Sequence, residues 1–261
     1  MVRRAAPALA CSLIFCAQAA LGCGRAAAMV GGAADANEAL ARHVVMLVGP
    51  RGFCSGVAIA RNVVLTAAHC VLPGADTKLA EFDAARQPVL KDIGTIARHP
   101  GFDADAAPRQ RVTADVALLK LAEPLAARFV PAPLAAPRRP VAVGDLLLVA
   151  GYGLAAPGDG RSGGTLRAAR LAVTGQPGTL QIRLVDPATK GDRPGLGACT
   201  GDSGAPVLED AGGRLGVLGV VSWTTGPVLS EGCGGLTGVT PLARYRDWIV
   251  TTAGKLGTPS P

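Results

Sequence analysis

Three short segments of the chain carry side chains whose types suit nucleophilic catalysis. The first has His69 directly before Cys70, the second has Asp115 before an apolar run, and the third has Ser203 within Gly-Asp-Ser-Gly. A serine hydroxyl is a weak nucleophile at neutral pH and needs a base within hydrogen-bond reach, and imidazole titrates close to that pH. Each segment alone also has a structural explanation, as a strand end, a strand cap or a turn. Together they indicate a hydrolase that acts through an activated serine.

Two further segments, Met29-Val30-Gly31-Gly32 and Val221-Ser222-Trp223, accompany these three. The set resembles the landmarks of the chymotrypsin/trypsin family of serine peptidases, in the family's order and across residues 29 to about 250. The resemblance implies a serine peptidase domain over residues 29–253. It also implies endopeptidase activity on protein or peptide substrates, without a cofactor or a metal.

The resemblance assigns a role to each member of the site. Ser203 would be the nucleophile, His69 the general base, and Asp115 the buried carboxylate that orients the imidazole. The amides of Gly201 and Ser203 would form the oxyanion hole, and glycine at position 201 lets its amide turn toward the substrate.

The resemblance also identifies a substrate pocket, formed by Gly197, Ser222, Trp223, Thr224 and Gly234. A carboxylate six positions before the catalytic serine selects Arg or Lys in this family, and here that position is Gly197. Thr224 stands where glycine would leave the pocket open, whereas Gly234 leaves the other wall unobstructed. We therefore expect a non-tryptic enzyme that prefers small or medium apolar side chains at P1. Glu231 is the alternative source of a negative charge in the pocket.

The first 28 residues have the features of a signal peptide. Arg3 and Arg4 precede an apolar stretch from Ala8 to Leu21, and Ala26-Ala27-Ala28 offers a small-residue cleavage site. The apolar stretch is shorter than the ~20 residues that span a membrane. We therefore expect a secreted or periplasmic monomer, with a lipid anchor at Cys23 as the alternative.

Cleavage before Met29 would also activate the enzyme if the resemblance holds. In the family a new N-terminal ammonium folds inward and pairs with the Asp before the catalytic serine, here Asp202. Export would then need no separate propeptide. The alternative is an earlier cut, for example after Ala19, followed by trimming.

Four cysteines follow the predicted signal peptide: Cys54, Cys70, Cys199 and Cys233. Four cysteines allow three pairings, and the absence of a Cys-x-x-Cys pair argues against a metal site. The resemblance selects Cys54 with Cys70 and Cys199 with Cys233.

Apolar runs between turn residues indicate an all-β fold of about ten strands. These runs are His43–Val48, Phe53–Ile59, Asn62–Leu65, Val89–Ala97, Val116–Leu121, Asp145–Gly151, Leu166–Val173, Leu180–Val185, Gly213–Trp223 and Leu236–Thr240. A proline-rich crossing at Val130–Pro140 divides them into two halves, and Leu242–Ala253 has helical spacing. With the resemblance, this predicts two packed six-stranded antiparallel β-barrels, a C-terminal helix and a flexible tail at 254–261.

The formal net charge of +7 does not indicate a nucleic-acid partner. Without Arg3, Arg4 and Arg25 of the predicted signal peptide, the chain has 23 basic and 19 acidic residues. The basic residues are scattered and are not interleaved with aromatic side chains, as a single-strand binding groove would require.

Two other functions compete with peptidase activity. An esterase of the α/β-hydrolase type uses Gly-x-Ser-x-Gly in the order Ser, acid, His, whereas this chain has Ala205 and the order His, Asp, Ser. A binding module on an inactive peptidase fold is the second alternative. Such a module commonly lacks a member of the triad, and all three are present here.

Overall fold

Most of the chain runs in short antiparallel strands. The computed structural model describes residues 29–83, 85, 87–106, 111–135, 140–210 and 212–257. The predicted signal peptide at 1–28, including Cys23, lies outside the described residues, as do positions 136–139 of the crossing and 258–261 of the tail.

The strands follow one another along the chain with few helical interruptions. They are β1 (Ala34–Asp35), β2 (Val44–Gly49), β3 (Gly52–Ala60), β4 (Val63–Thr66), β5 (Lys78–Phe82), β6 (Pro88–Lys91), β7 (Ile93–Arg98), β8 (Ala117–Leu121), β9 (Leu146–Gly151), β10 (Arg167–Thr174), β11 (Ile182–Val185), β12 (Pro206–Asp210), β13 (Leu215–Thr224) and β14 (Thr237–Pro241). The α-helices are α1 (Glu38–Ala41) and α2 (Arg246–Lys255), and 3₁₀ turns occur at Ala68–Val71, Gly160–Ser162, Pro227–Leu229 and Ala243–Tyr245. Each predicted apolar run falls on a strand, and Val89–Ala97 contains two, β6 and β7.

The C-terminal half closes as a six-stranded barrel. Strands β9 to β14 pair around it, and the ring closes because β9 pairs with both β10 and β12. One face of β10 is directed toward the barrel core, because Ala169, Leu171 and Val173 are buried at alternate positions along this strand.

The N-terminal half is a seven-stranded antiparallel sheet in the order β6-β5-β2-β3-β4-β8-β7, curved into a half-barrel. Its β2–β3 hairpin turns tightly because Gly49 faces Gly52, which has a φ of +115°. The predicted all-β class, with two antiparallel halves and a C-terminal helix, is confirmed.

A hydrophobic cluster lies between the two halves. It joins Leu65 and Leu118 of the first half to Leu208 and Val217 of the second, and Ile249 of α2 packs on it. The crossing segment bonds to both halves: the Ala132 amide donates to the Ala58 carbonyl at 2.8 Å, and the Ala135 amide to the Val217 carbonyl at 2.9 Å. The relative placement of the halves therefore depends on apolar burial and on main-chain bonds from the crossing.

The C-terminal helix differs from its prediction at both ends. A 3₁₀ turn occupies Ala243–Tyr245, and α2 then continues to Lys255, so residues 254 and 255 belong to the helix and not to the tail. Ile249 and Ala253 are its buried residues. None of the helices in the described residues combines the length and the apolar character needed to cross a membrane.

Both predicted disulfides are present. Cys54–Cys70 joins β3 to the turn after β4, and Cys199–Cys233 joins the segment before β12 to the segment before β14. Their sequence separations are 16 and 34 residues.

We expect removal of either bridge to destabilise the fold, because each bridge restricts the unfolded chain. Loops of these lengths correspond to about 3 kcal/mol for Cys54→Ala/Cys70→Ala and about 4 kcal/mol for Cys199→Ala/Cys233→Ala. Urea unfolding measures the loss. As a control, dithiothreitol should lower the stability of each double variant further, by the contribution of the remaining bridge. A double variant as stable as the parent chain would contradict the expectation.

Candidate active site

The pairing of β4 with β8 brings His69 and Asp115 together. These strands are antiparallel, with Thr66 opposite Ala117. His69 follows the end of β4 and Asp115 precedes the start of β8, so both leave the sheet at the same end. The His69 Nδ1 lies 2.7 Å from the Asp115 Oδ2, and the His69 main-chain amide donates to the Asp115 Oδ1 at 3.0 Å. Because a carboxylate only accepts, Nδ1 carries the proton and Nε2 is the basic nitrogen of the neutral ring.

A third donor to Asp115 comes from the other half of the molecule. The Ser222 hydroxyl, on β13, donates to the Asp115 Oδ2 at 2.5 Å. The carboxylate is 3% exposed. Burial alone would raise the pKa of Asp115, but the hydrogen bonds and charge of His69, with the Ser222 bond, outweigh it and hold that pKa below its ordinary value. Asp115 is therefore ionised at neutral pH.

Ser203 lies beside the histidine segment. Its carbonyl accepts a bond from the Ser55 amide at 2.8 Å and lies 3.7 Å from the Cys70 Sγ, next to His69 in sequence. Among the described residues, no hydrogen bond joins the Ser203 hydroxyl to the His69 ring. Such bonds are often long without substrate and tighten in the Michaelis complex.

The loop before β12 leaves two main-chain donors free. The amides of Asp202 and Gly204 bond to the carbonyls of Cys199 and Val221, at 2.9 and 2.7 Å. The amides of Gly201 and Ser203 have no acceptor among the described residues. Gly201 has a φ of +97°, and a Cβ there would lie 2.1 Å from the Phe53 ring. Glycine is therefore required at 201, and the two free amides can stabilise a developing oxyanion.

Asp202 is a fully buried carboxylate next to Ser203. It accepts bonds from the amides of Gly153 at 2.8 Å and Cys199 at 2.9 Å. Burial nevertheless raises the pKa of Asp202 to about 7, and the two amides only partly offset it. Met29 is also fully buried, and Val30 next to it forms a bridge with Gly197. The residues predicted to form the activation pair are thus both inside the second half.

The structure brings the segments of the predicted pocket residues close together. A Cβ at Gly197 would lie 3.2 Å from the Gly234 Cα. The Thr224 hydroxyl bonds to the carbonyls of Ala198 at 2.9 Å and Leu236 at 3.1 Å, which ties one wall to the other. Trp223 packs over Gly238, where any Cβ would overlap the indole.

Sequence reasoning missed one residue that holds these segments together, Thr237. It is fully buried, pairs with Thr224 across β13 and β14, and accepts a bond from the Ala198 amide at 3.0 Å. The alternation of Thr237 and Val239 along β14 was the available signal, but it does not reveal which strand lies opposite.

An open cleft of about 860 Å³ extends from this site. It is lined by His69, Asp115, Ser222 and Trp223 and reaches Leu229 of the loop before Cys233.

The remaining histidines and the cysteines near the site have structural environments. His43 lies 2.6 Å from the Val130 carbonyl, and His99 packs edge-on against Tyr245 and Trp248. The atoms of Cys54, His69 and Cys70 are close enough to hold a metal ion, but both sulfurs belong to one disulfide. That group can therefore not offer thiolate ligands.

Comparison with known proteins agrees with this geometry. The trypsin family profile matches residues 29–249. The chain is 27% identical to human kallikrein-11 over 77% of this chain and 72% of that protein, and 30% identical to trypsin 5G1 of Aedes aegypti over 79% and 77%. It is 31% identical to human serine protease 56 over 85% of this chain but only 38% of that protein. The chain belongs to the trypsin family of serine endopeptidases.

Proposed function

We propose that this chain is an exported serine endopeptidase in which His69, Asp115 and Ser203 hydrolyse peptide bonds through an acyl-enzyme. The observation that carries the proposal is the buried Asp115 carboxylate bonded to the His69 Nδ1. This bond orients the imidazole with Nε2 as its base. Substrates are proteins or peptides, cleaved by a monomer without a cofactor.

The first half-reaction forms an ester. The Ser203 Oγ attacks the scissile carbonyl carbon, its proton passes to the His69 Nε2, and the carbonyl electron pair becomes an oxyanion bonded by the Gly201 and Ser203 amides. The intermediate collapses as the C–N bond breaks and the imidazolium gives its proton to the leaving amine. Water then repeats the sequence on the ester and releases the carboxylic acid and Ser203.

We expect Ser203→Ala and His69→Ala each to lower kcat about a million-fold, because the residues act as one unit. Asp115→Asn should lower kcat about 10⁴-fold, because it leaves the His69 ring in the wrong tautomer. Steady-state kinetics on a peptide substrate measures these losses, and substrate binding should largely survive. His43→Gln is the matched control and should retain full activity. Turnover by Ser203→Ala above about one per cent of the wild type would remove the mechanism.

The pocket supports a preference for small or medium apolar P1 side chains. No carboxylate stands at Gly197, and Thr224 stands where glycine would leave the pocket open. Glu231, the alternative source of charge, is exposed.

We therefore expect alanyl, valyl and leucyl substrates to exceed arginyl ones in kcat/KM. Thr224→Gly should open the pocket and shift the ratio of phenylalanyl to alanyl substrates by roughly tenfold toward the larger side chain. Val228→Ala, at an exposed position of the neighbouring loop, is the control and should leave the ratio unchanged. A higher kcat/KM for arginyl substrates than for the apolar ones would refute this preference. Glu231→Gln would then test whether Glu231 supplies the negative charge in the pocket.

Export and activation are proposed to occur in one cut before Met29, which would leave a peptidase domain at 29–253. The new ammonium at Met29 would pair with Asp202 inside the second half. The Asp202 carboxylate supports this pairing, because it is buried and no cation pairs with it among the described residues. N-terminal sequencing of the exported protein distinguishes this cut from an earlier one or from lipidation at Cys23.

The pairing predicts different pH profiles for two forms of Ser203→Ala, one starting at Met29 and one extended by Ala27-Ala28. In the extended form, the pKa of Asp202 is raised to about 7 in the folded state. The folded state then binds the proton more tightly, so stability should fall by up to about 4 kcal/mol from ~pH 4 to pH 7 and level off above.

The form that starts at Met29 should not show this fall, because its ammonium stabilises the carboxylate. Thermal unfolding across pH measures both forms, and Asp202→Asn in the extended form is the control that removes the slope. Identical profiles for the two forms would show that Met29 and Asp202 do not pair.

A further inference from the structure

Ser55 is a buried polar residue in an otherwise apolar strand. It lies in β3, in the N-terminal half, between Cys54 and the apolar residues up to Ala60, and it is fully buried. A buried hydroxyl without partners is costly, so its bonds indicate what holds it there.

The Ser55 side chain bonds to two other segments. Its hydroxyl donates to the Gly201 carbonyl at 2.9 Å and accepts from the Tyr152 amide at 2.9 Å. Its own amide donates to the Ser203 carbonyl at 2.8 Å. One residue of the first half therefore bonds to both residues whose amides are free in the loop before β12.

The Ser55 bonds hold the peptides that flank the free amides: its hydroxyl holds the Gly201–Asp202 peptide, which lies between the two peptides that carry them. The Thr200 carbonyl accepts from the Leu154 amide at 2.8 Å, which sets the plane of the Thr200–Gly201 peptide and so the direction of the Gly201 N–H. The next peptide is held at its Gly201 carbonyl by the Ser55 hydroxyl. Glycine at a φ of +97° has wide conformational freedom, so bonds on both sides of it are needed to keep one conformation.

We infer that Ser55 is a positioning residue for the oxyanion hole, acting through the Gly201 carbonyl. The inference rests on the proposed function of Ser203 and of the two amides. Ser55 anchors the loop from the N-terminal half, independently of the Met29 terminus. It does not touch the substrate, so its effect falls on the transition state and not on substrate binding.

The test compares Ser55→Ala with the wild type in steady-state kinetics. We expect kcat to fall about tenfold with KM changed less than threefold, a smaller loss than the 10²–10³-fold that follows removal of an oxyanion donor. Inhibition by a peptidyl trifluoromethyl ketone, whose adduct carries the oxyanion, should weaken in parallel with kcat. Ser55→Thr keeps the hydroxyl and should recover most of the activity.

Asn37→Ala is the matched control. The Asn37 side chain also bonds to a main-chain group, the Leu40 amide at 2.9 Å, where it caps α1. Its loss should lower the melting temperature without lowering kcat. Should Ser55→Ala fail to fold, Ser55→Gly, which also lacks the hydroxyl, takes its place.

The outcomes separate this inference from the proposed function. An active wild type with an equally active Ser55→Ala, or with a loss confined to KM, overturns the role of Ser55 alone. A wild type that neither turns over peptides nor reacts with the ketone overturns the proposed function and this inference with it.

Discussion

The buried charge on Asp115 is the constraint on which the rest of the site depends. A carboxylate that is 3% exposed is tolerated only with donors around it, and its donors come from both halves: His69 from the first and Ser222 from the second. The two halves must therefore pack in one relative position for both donors to reach the Asp115 carboxylate. The hydrophobic cluster between the halves holds them in that position. The geometry of the catalytic site therefore depends on the packing of this cluster.

The loop before β12 meets a complementary constraint, because it must leave two amides without partners. Its other groups are bonded: Asp202 to the Gly153 and Cys199 amides, and the Gly201 and Ser203 carbonyls to Ser55. Such bonds keep the free donors fixed in a conformation open to glycine, and donors fixed before reaction need no reorganisation. A disulfide at Cys199 restrains the start of the same loop.

The sequence predicted those parts of the fold that depend on local pattern. Apolar runs located most strands, whereas the pairing of the two disulfides came from the family resemblance. The pattern missed β1, β5 and β12. Before β12, the Gly-Asp-Ser-Gly segment and Pro206 indicated a turn, although Pro206 can start a strand. Thr237 and Ser55 were missed for another reason. Their importance depends on which strand or loop lies opposite, and one sequence carries no register information across such distances.

The most direct test of the account is covalent labelling with a fluorophosphonate, read by mass spectrometry of the intact protein and its peptides. A serine activated by His69 and Asp115 should take up one equivalent, located on Ser203, and His69→Ala should remain unlabelled under the same conditions. Labelling of His69→Ala at the wild-type rate, or no adduct on Ser203 of the wild-type form starting at Met29, would contradict the account.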